Sequence, residues 1–128
     1  MTQRITQGIA VQVETFYNGS VGSADAEEHT FAYRITIVNQ SEFPVQLLKR
    51  HWIIFDSIGI IREVKGDGVV GQQPIIEPNQ QFQYVSGTGM HTEIGKMGGT
   101  YTMQNLFNKQ LFDVGIPDFE LIVPHKMN

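Results

Sequence analysis

The sequence predicts an all-β domain of about seven strands arranged as a two-sheet sandwich or a barrel. Apolar and polar residues alternate in several separate runs, which is typical of strands that bury one face. Residues that favour turns separate these runs at short intervals. No window of eleven or more residues shows a convincing helical period of 3.6 residues. These three observations favour strands throughout.

The predicted strands follow one another along the chain. Five come from strict alternation, as in Ile9, Val11 and Val13, and they lie at 9–13, 31–38, 82–84, 101–103 and 119–123. Two more come from the apolar-rich stretch Val45 to Asp56 and the run Ile60 to Lys65. Asp56 and Gly59 bound a turn between these two runs, so they predict a hairpin.

Two details of this hairpin can be predicted. Leu47 and Leu48 cannot both face one core, so we expect a bulge near Leu47–Arg50. Trp52 lies in mid-strand, where a large aromatic side chain usually packs in the core. The best helical candidate is Met103 to Phe112, which could equally be a strand followed by a loop.

Turn signals occur between and beside the runs. We predict turns at Asn18-Gly19, Asn39-Gln40-Ser41, Gly66-Asp67-Gly68, Pro78-Asn79 and Gly98-Gly99. Residues 17–28 are polar and predict a mobile loop.

Composition excludes several classes of protein. The 128 residues fit one domain, and a hydrophobic content of 41% argues against intrinsic disorder. The absence of cysteine excludes a disulfide scaffold, a thiolate zinc site and an iron–sulfur cluster. A net charge of -4 argues against nucleic-acid binding by the whole protein. The longest apolar run has four residues, Trp52 to Phe55, whereas a spanning helix needs about 20. We therefore expect a cytoplasmic protein without a membrane span.

A glycine motif, G-x-G-x-x-G, occupies Gly66, Gly68 and Gly71. In dinucleotide-binding proteins a helix begins within this motif, but Gly71 and Pro74 oppose a helix here. The motif is thus interpreted mainly as a loop that joins strands. The alternative is a nest of backbone N–H groups that binds an anion.

Basic residues precede this loop. Lys49, Arg50, Arg62 and Lys65 are four of the nine basic residues, and a hairpin could gather them beside the glycines. A local basic patch could attract phosphate, or the same charges could solvate a sheet face and deter edge pairing. The candidate anion- or nucleotide-binding residues are Gly66, Gly68, Gly71, Arg50, Arg62 and Lys65.

A second cluster combines three carboxylates with a histidine: Asp25, Glu27, Glu28 and His29. Carboxylate oxygens bind magnesium, and histidine adds affinity for cobalt. These residues are the candidate metal ligands, although charge runs of this kind are usually solvated.

No catalytic constellation is evident. His91 and Glu93 form half of the signature of zinc deaminases, whose other half requires the cysteines that this chain lacks. No serine lies in a G-x-S-x-G elbow. We predict that the protein is not an enzyme and carries no cofactor.

Longer segments resemble the ApaG domain family of bacterial proteins, over about Ile9 to Pro124. The resemblance rests on FAYRITI (31–37), VQLLKRHW (45–52), GDGVVGQQPII (66–76), FQYVSG (82–87), GKMGGTY (95–101) and IPDF (116–119). One departure is Pro78-Asn79, where the family often has Pro-Gly; asparagine tolerates the left-handed conformation, so the turn is preserved.

This resemblance implies an immunoglobulin-like β-sandwich of the fibronectin type III kind, formed by a single domain over 1–128 with its core at about 9–124. It also implies a suspected nucleotide site at Gly66–Gly71, and a link to cobalt and magnesium efflux. That link must be indirect, because the chain has no apolar spans.

The favoured interpretation is a non-enzymatic module that binds an unidentified protein partner or has a regulatory role. The alternatives are a binder of phosphate or a dinucleotide polyphosphate through Gly66–Gly71, and a divalent-cation binder. A homodimer is compatible with each of these three interpretations.

Overall fold

The computed structural model describes residues 1–23 and 26–124, which form nine strands in two antiparallel sheets. The strands are β1 (Thr2–Thr6), β2 (Ile9–Val21), β3 (Glu28–Asn39), β4 (Val45–Asp56), β5 (Ile61–Asp67), β6 (Ile75–Ile76), β7 (Gln81–Met90), β8 (Ile94–Asn105) and β9 (Leu111–Ile122). One sheet has the order β1-β2-β3-β7 and the other the order β5-β4-β8-β9, with β6 paired to the start of β4. The predicted β-sandwich is confirmed, and β1 and β6 are the two strands that the sequence pattern did not predict.

The core lies between the two sheets and is filled by alternate residues of each long strand. Trp52 is only 3% exposed and packs against Tyr33, Tyr101 and Phe119, with ring centroids 5.4, 6.3 and 5.9 Å away. The prediction of a core tryptophan is confirmed.

The predicted bulge in β4 is also confirmed. The pairing of β4 with β8 shifts register between Leu47 and Lys49, so Leu48 has no opposite residue on β8. The extra residue lets Leu47 and Trp52 both face the core although five positions separate them. As a result Arg50, two residues before Trp52, also lies on the inward side of its strand.

Three local predictions are wrong. Gly98-Gly99 is no turn but lies inside β8 at a register shift, where a Cβ on Gly99 would overlap the carbonyl oxygen of His51. Asn18-Gly19 lies inside β2, within another register shift, between Tyr17 and Ser20. Within the predicted loop 17–28, residues 17–21 belong to β2 and Glu28 begins β3, so the prediction is wrong for these residues.

The predicted turn at Gly66-Asp67-Gly68 is misplaced, because Gly66 and Asp67 still belong to β5 and the chain turns between Val69 and Gln72. The other turns agree better with the sequence. The segment Met103 to Phe112 contains no helix, since β8 ends at Asn105 and β9 begins at Leu111. Asn79 adopts φ 66° between β6 and β7, as expected for an asparagine in the left-handed conformation. Asp56 closes the hairpin of β4 and β5 by accepting hydrogen bonds from the N–H groups of Ile58 and Ile60.

The two sides of the sandwich differ. On one side β1 and β9 meet, and the Gly115 N–H donates to Thr6 Oγ1 at 3.2 Å. On the other side β5 and β7 are the sheet edges, and the described residues form no strand pairing between them. A groove opens on this side of the sandwich. No helix in the described part of the chain is long and apolar enough to cross a bilayer.

Candidate binding groove between the sheets

A groove of about 490 Å³ opens between β5 and β7. Its base carries the aromatic side chains Tyr33, Trp52 and Tyr84. The rest of the lining comes from β4, β5, β7, the turn after β5 and Met97 of β8, and it includes Arg50, Arg62, Val64, Val70, Gly71, Ser86 and Thr88. The groove therefore combines an aromatic base with arginine and hydroxyl groups at its walls.

The hairpin of β4 and β5 sets the positions of the two arginines. Arg50 is paired with Gly66, and Ile54 is paired with Arg62, so these side chains lie on the inward face of the same two strands. Both arginines line the groove. The register of the hairpin therefore brings these two arginines to one groove, as the sequence predicted.

Arg50 is half-buried and held by backbone carbonyls. Its Nη1 donates to Asp67 O and to Gly68 O, each at 3.0 Å. The guanidinium lies against Gly66, where a Cβ would come within 2.8 Å of Nη1 and of Nη2. A guanidinium carries five N–H donors, so those on Nε and Nη2 can serve an acceptor in the groove.

Arg62 extends from β5 towards β7. Its Nη2 donates to Gly89 O at 2.7 Å and lies 3.5 Å from Thr88 Oγ1. Beyond it lies a smaller cavity of about 180 Å³, which Arg62 and Gly89 share with Glu28 and His91. Arg62 therefore forms one end of the groove and bridges the two sheet edges.

Lys65 lies apart from Arg62. It lines an open depression with Lys49, Arg50, His51 and Gly66, and Arg62 is not part of that lining. Its Nζ lies 3.8 Å from Glu63 Oε2. The predicted gathering is wrong for Lys65 and Arg62, because residues three apart on a strand face opposite sides, whereas Arg50 lines both the groove and the depression.

The G-x-G-x-x-G segment forms a tight hairpin turn. Val69 and Gln72 exchange backbone hydrogen bonds of 2.8 and 2.9 Å. Val70 and Gly71 between them have φ 43° and 78°, as in a type I′ turn. Gly68 has φ 63°, and a Cβ there would overlap Gln72 O. No helix follows the segment, which is a loop joining strands.

Backbone carbonyls occupy several of the segment's N–H groups. Gly68 N–H donates to Leu48 O at 2.8 Å, and the N–H groups of Val69 and Gln72 bond each other's carbonyls. These three donors cannot also bind an anion. Of the three motif glycines, Gly71 lines the groove, Gly66 underlies Arg50, and Gly68 shapes the turn.

The tyrosines at the base of the groove are neutral hydrogen-bonding groups. Burial raises the pKa of Tyr84 and of Tyr101, whose hydroxyls bond each other. Burial also raises the pKa of Tyr33, against the opposing effects of a hydrogen bond with Ser86 and the charge of Arg50. Near neutral pH these phenols therefore stay protonated and do not act as bases.

The predicted metal ligands do not converge. His29 is buried, with Nδ1 3.1 Å from Tyr17 OH and Nε2 3.3 Å from Glu27 Oε1. Glu28 points elsewhere, with Oε2 4.0 Å from His91 Nε2. Asp25 lies outside the described residues. Within 1–23 and 26–124 no three potential ligand side chains come together around a common point.

Sequence reasoning missed the contribution of β7. Tyr84, Ser86 and Thr88 occupy its inward positions and supply hydroxyl groups to the groove. The signal was the period-two pattern itself, because it continues past the predicted strand at 82–84 with small polar residues in place of apolar ones.

Comparison with known proteins identifies the family. The family model described as the ApaG domain matches residues 20–105. The chain belongs to the ApaG domain family. This ApaG domain is 44% identical over 126 residues to Protein ApaG of Paramagnetospirillum magneticum, which covers 98% of this chain and 96% of the relative. It is 46% identical over 116 residues to Protein ApaG of Pectobacterium atrosepticum, covering 91% and 92% of the two chains.

Solved structures match this ApaG domain closely. A structural genomics target solved by X-ray diffraction superimposes with a TM-score of 0.88 at 43% identity, covering 91% of this chain and 88% of that one. A crystal structure from Bordetella pertussis gives a TM-score of 0.84 at 39% identity, covering 91% and 94%. The resemblance that the sequence motifs indicated is confirmed.

Proposed function

We propose that the chain is a non-enzymatic binding module that receives a segment of a protein partner in the groove between β5 and β7. A carboxylate or phosphate on that segment would be held by Arg50 and Arg62. The observation that supports this most is that neither arginine is engaged in an ion pair. Among the described residues, Arg34 forms an ion pair with Glu14, whereas the ion pairs include neither groove arginine.

The chemistry of the groove favours binding over catalysis. Its lining contains no Asp, Glu or His side chain among the described residues. What it offers instead are arginines, hydroxyls and neutral phenols. Arginine binds carboxylate and phosphate through charge-assisted, often bidentate hydrogen bonds, and the aromatic base supplies apolar contact area.

A regulatory role follows from binding of this kind. The indirect link to cobalt and magnesium that the family resemblance implies would act through the partner rather than through metal held by this chain. We expect this binding to take place in the cytoplasm, the location that the sequence predicts.

Site-specific photo-crosslinking tests the proposal. A photoreactive phenylalanine analogue replaces Val64 at the rim of the groove, and in a matched control it replaces Leu111, which is also exposed but lies on β9. We expect a protein adduct from position 64 that disappears with Arg50→Gln and is absent from position 111. Identical adducts from both positions would contradict the proposal.

A second candidate is a phosphate-containing small ligand, favoured by two guanidinium groups that line one groove. Calorimetry with pyrophosphate, ATP and diadenosine tetraphosphate tests it. Arg62→Gln should weaken binding by about tenfold, since a charge-assisted hydrogen bond contributes roughly 1.5–3 kcal/mol. Lys65→Gln is the matched control and should leave affinity unchanged. No heat at millimolar ligand would exclude this candidate.

A further inference from the structure

Within the described residues five strands lie at sheet edges, because β6 lies beside β4 on the same side as β5. Four of them are protected against strand addition, β6 by its length of only two residues. Natural proteins protect edges with charges, proline or bulges. On β9 these are Pro117, Asp118 and a register shift, and β1 lies against β9 with Arg4 over Gly115. On β5 they are Glu63 and Lys65.

The fifth edge strand, β7, has none of these protections. Its sequence from Gln81 to Met90 contains no charged residue and no proline. Its pairing with β3 runs over ten residue pairs without a register shift. A long, regular and uncharged edge of this kind is a ready template for another strand.

Hydrogen bonding shows which groups of β7 face outward. Asn39 N–H donates to Gln80 O and Asn39 O accepts from Asn79 N–H, so even-numbered positions of β7 continue the ladder with β3. Odd-numbered positions present N–H and C=O to the free edge. Gly89 agrees, because its carbonyl accepts from Arg62 on β5. Val85 and Gly87 therefore direct their backbone groups to the same side.

Apart from Arg62, which covers the edge at Gly89 O, little obstructs this edge. Gly87 and Gly89 have no side chains, and the side chain of Val85 is 57% exposed on the outer face. Adjacent strands lie about 4.8 Å apart. A strand added to β7 would thus lie over the groove, with alternate side chains directed inward towards Arg50 and Arg62.

We infer that the partner binds by strand addition: an extended segment pairs with the free edge of β7 and directs acidic side chains to Arg50 and Arg62. This inference rests on the proposed function and specifies the conformation and charge of the partner segment. Main-chain hydrogen bonds would supply affinity and the arginines specificity, as in other complexes of this type.

Charge complementarity favours an acidic partner over a second copy of this chain. In a pairing of two β7 strands, the inward positions of the added strand would be Phe82, Tyr84, Ser86 and Thr88. These residues bring no carboxylate to the arginines. An acidic segment neutralises both guanidinium groups at once.

The test uses synthetic peptides of about nine residues in which valine or threonine alternates with glutamate, and matched peptides with glutamine in place of glutamate. Binding to the full chain is measured by calorimetry, and amide shifts and hydrogen exchange are followed by NMR. We expect the glutamate peptide to bind about tenfold more tightly than the glutamine peptide. We also expect the amides of Val85 and Gly87 to gain protection from hydrogen exchange when the glutamate peptide is bound.

Two variants of one residue isolate the edge. Val85→Pro removes an N–H that the ladder with β3 does not use, and edge strands tolerate proline at such positions. It should weaken peptide binding by about tenfold. Val85→Thr keeps the N–H and should leave binding within about twofold. If Val85→Pro does not fold, the exchange of Val85 and Gly87 amides in the unaltered chain decides the question.

The outcomes separate this inference from the proposed function. If Arg50→Gln weakens binding but Val85→Pro and the edge amides show no effect, strand addition is overturned and the groove proposal survives. If no glutamate peptide binds, both fail. If the chain associates with itself and protects Gly87 without peptide, the edge belongs to a second copy and the acidic partner is overturned.

Discussion

The contact of Gly66 with Arg50 allows a quantitative prediction about the groove. Gly66→Ala would place a Cβ 2.8 Å from both Nη1 and Nη2 of Arg50. The guanidinium is the flexible end of its side chain, so it should move and give up its hydrogen bonds to Asp67 O and Gly68 O. The variant therefore removes the fixed orientation of Arg50 without removing its charge.

The magnitude follows from opposing contributions. A hydrogen bond to a charged group contributes roughly 1.5–3 kcal/mol, but Arg50 is only half-buried, so we take about 1 kcal/mol for each of two bonds. Alanine is favoured over glycine within a strand by roughly 0.5–1 kcal/mol. The net loss of stability should be about 1–1.5 kcal/mol, or a fall in Tm of roughly 3–6 °C.

A double-mutant cycle with Arg50→Met provides the assay. Urea unfolding gives the free energy of unfolding of the parent, the two single variants and the double variant. With Arg50→Met as background, Gly66→Ala should stabilise by about 0.5 kcal/mol, so the two sites should be coupled by about 2 kcal/mol. An equal cost of Gly66→Ala in both backgrounds would refute the reasoning, because the alanine would then act through something other than the guanidinium.

Three further predictions concern the rest of the sandwich. Val70→Asn should stabilise by about 1 kcal/mol in urea unfolding, since Val70 has φ 43° and asparagine-glycine suits a type I′ turn; unchanged stability would contradict the strain. Gly99→Ala should cost about 3 kcal/mol or more, measured in the same way, because its Cβ would overlap the backbone oxygen of His51, which cannot move aside as a side chain can. Stability should fall as pH rises above about 10, because the pKa values of Tyr33, Tyr84 and Tyr101 are raised in the folded state and the unfolded state loses its protons first. The slope should approach roughly 1.4 kcal/mol per pH unit for each tyrosine, and an unchanged slope in Tyr101→Phe would contradict a contribution from Tyr101.

Most strands were predictable because burial within a strand is a local property. Side chains alternate between two faces, so the pattern around Ile9 or Phe31 reveals a buried face without knowledge of its partner. Gly98-Gly99 and Asn18-Gly19 were misassigned because the residues that form turns also form irregularities inside long strands. Which of the two occurs depends on the neighbouring strand, which local sequence does not specify.

The candidate site was predictable in part. The hairpin of β4 and β5 is local, so the proximity of Arg50 and Arg62 followed from the turn at Asp56-Gly59. The same alternation places Arg62 and Lys65 on opposite faces of β5, although the prediction from sequence grouped them at one site. The inward position of Arg50 depends on the bulge at Leu48, which the adjacent leucines indicated.

Taken alone, the sequence determined the β class, the core position of Trp52, the absence of cysteine chemistry and the concentration of basic residues near one glycine loop. Only the tertiary structure decided that β5 and β7 are both sheet edges and face each other across a groove. Edge positions result from pairing between strands far apart in the chain, as β3 with β7 and β4 with β8. The groove and the unprotected edge of β7 exist because that long-range pairing leaves one side of the sandwich open.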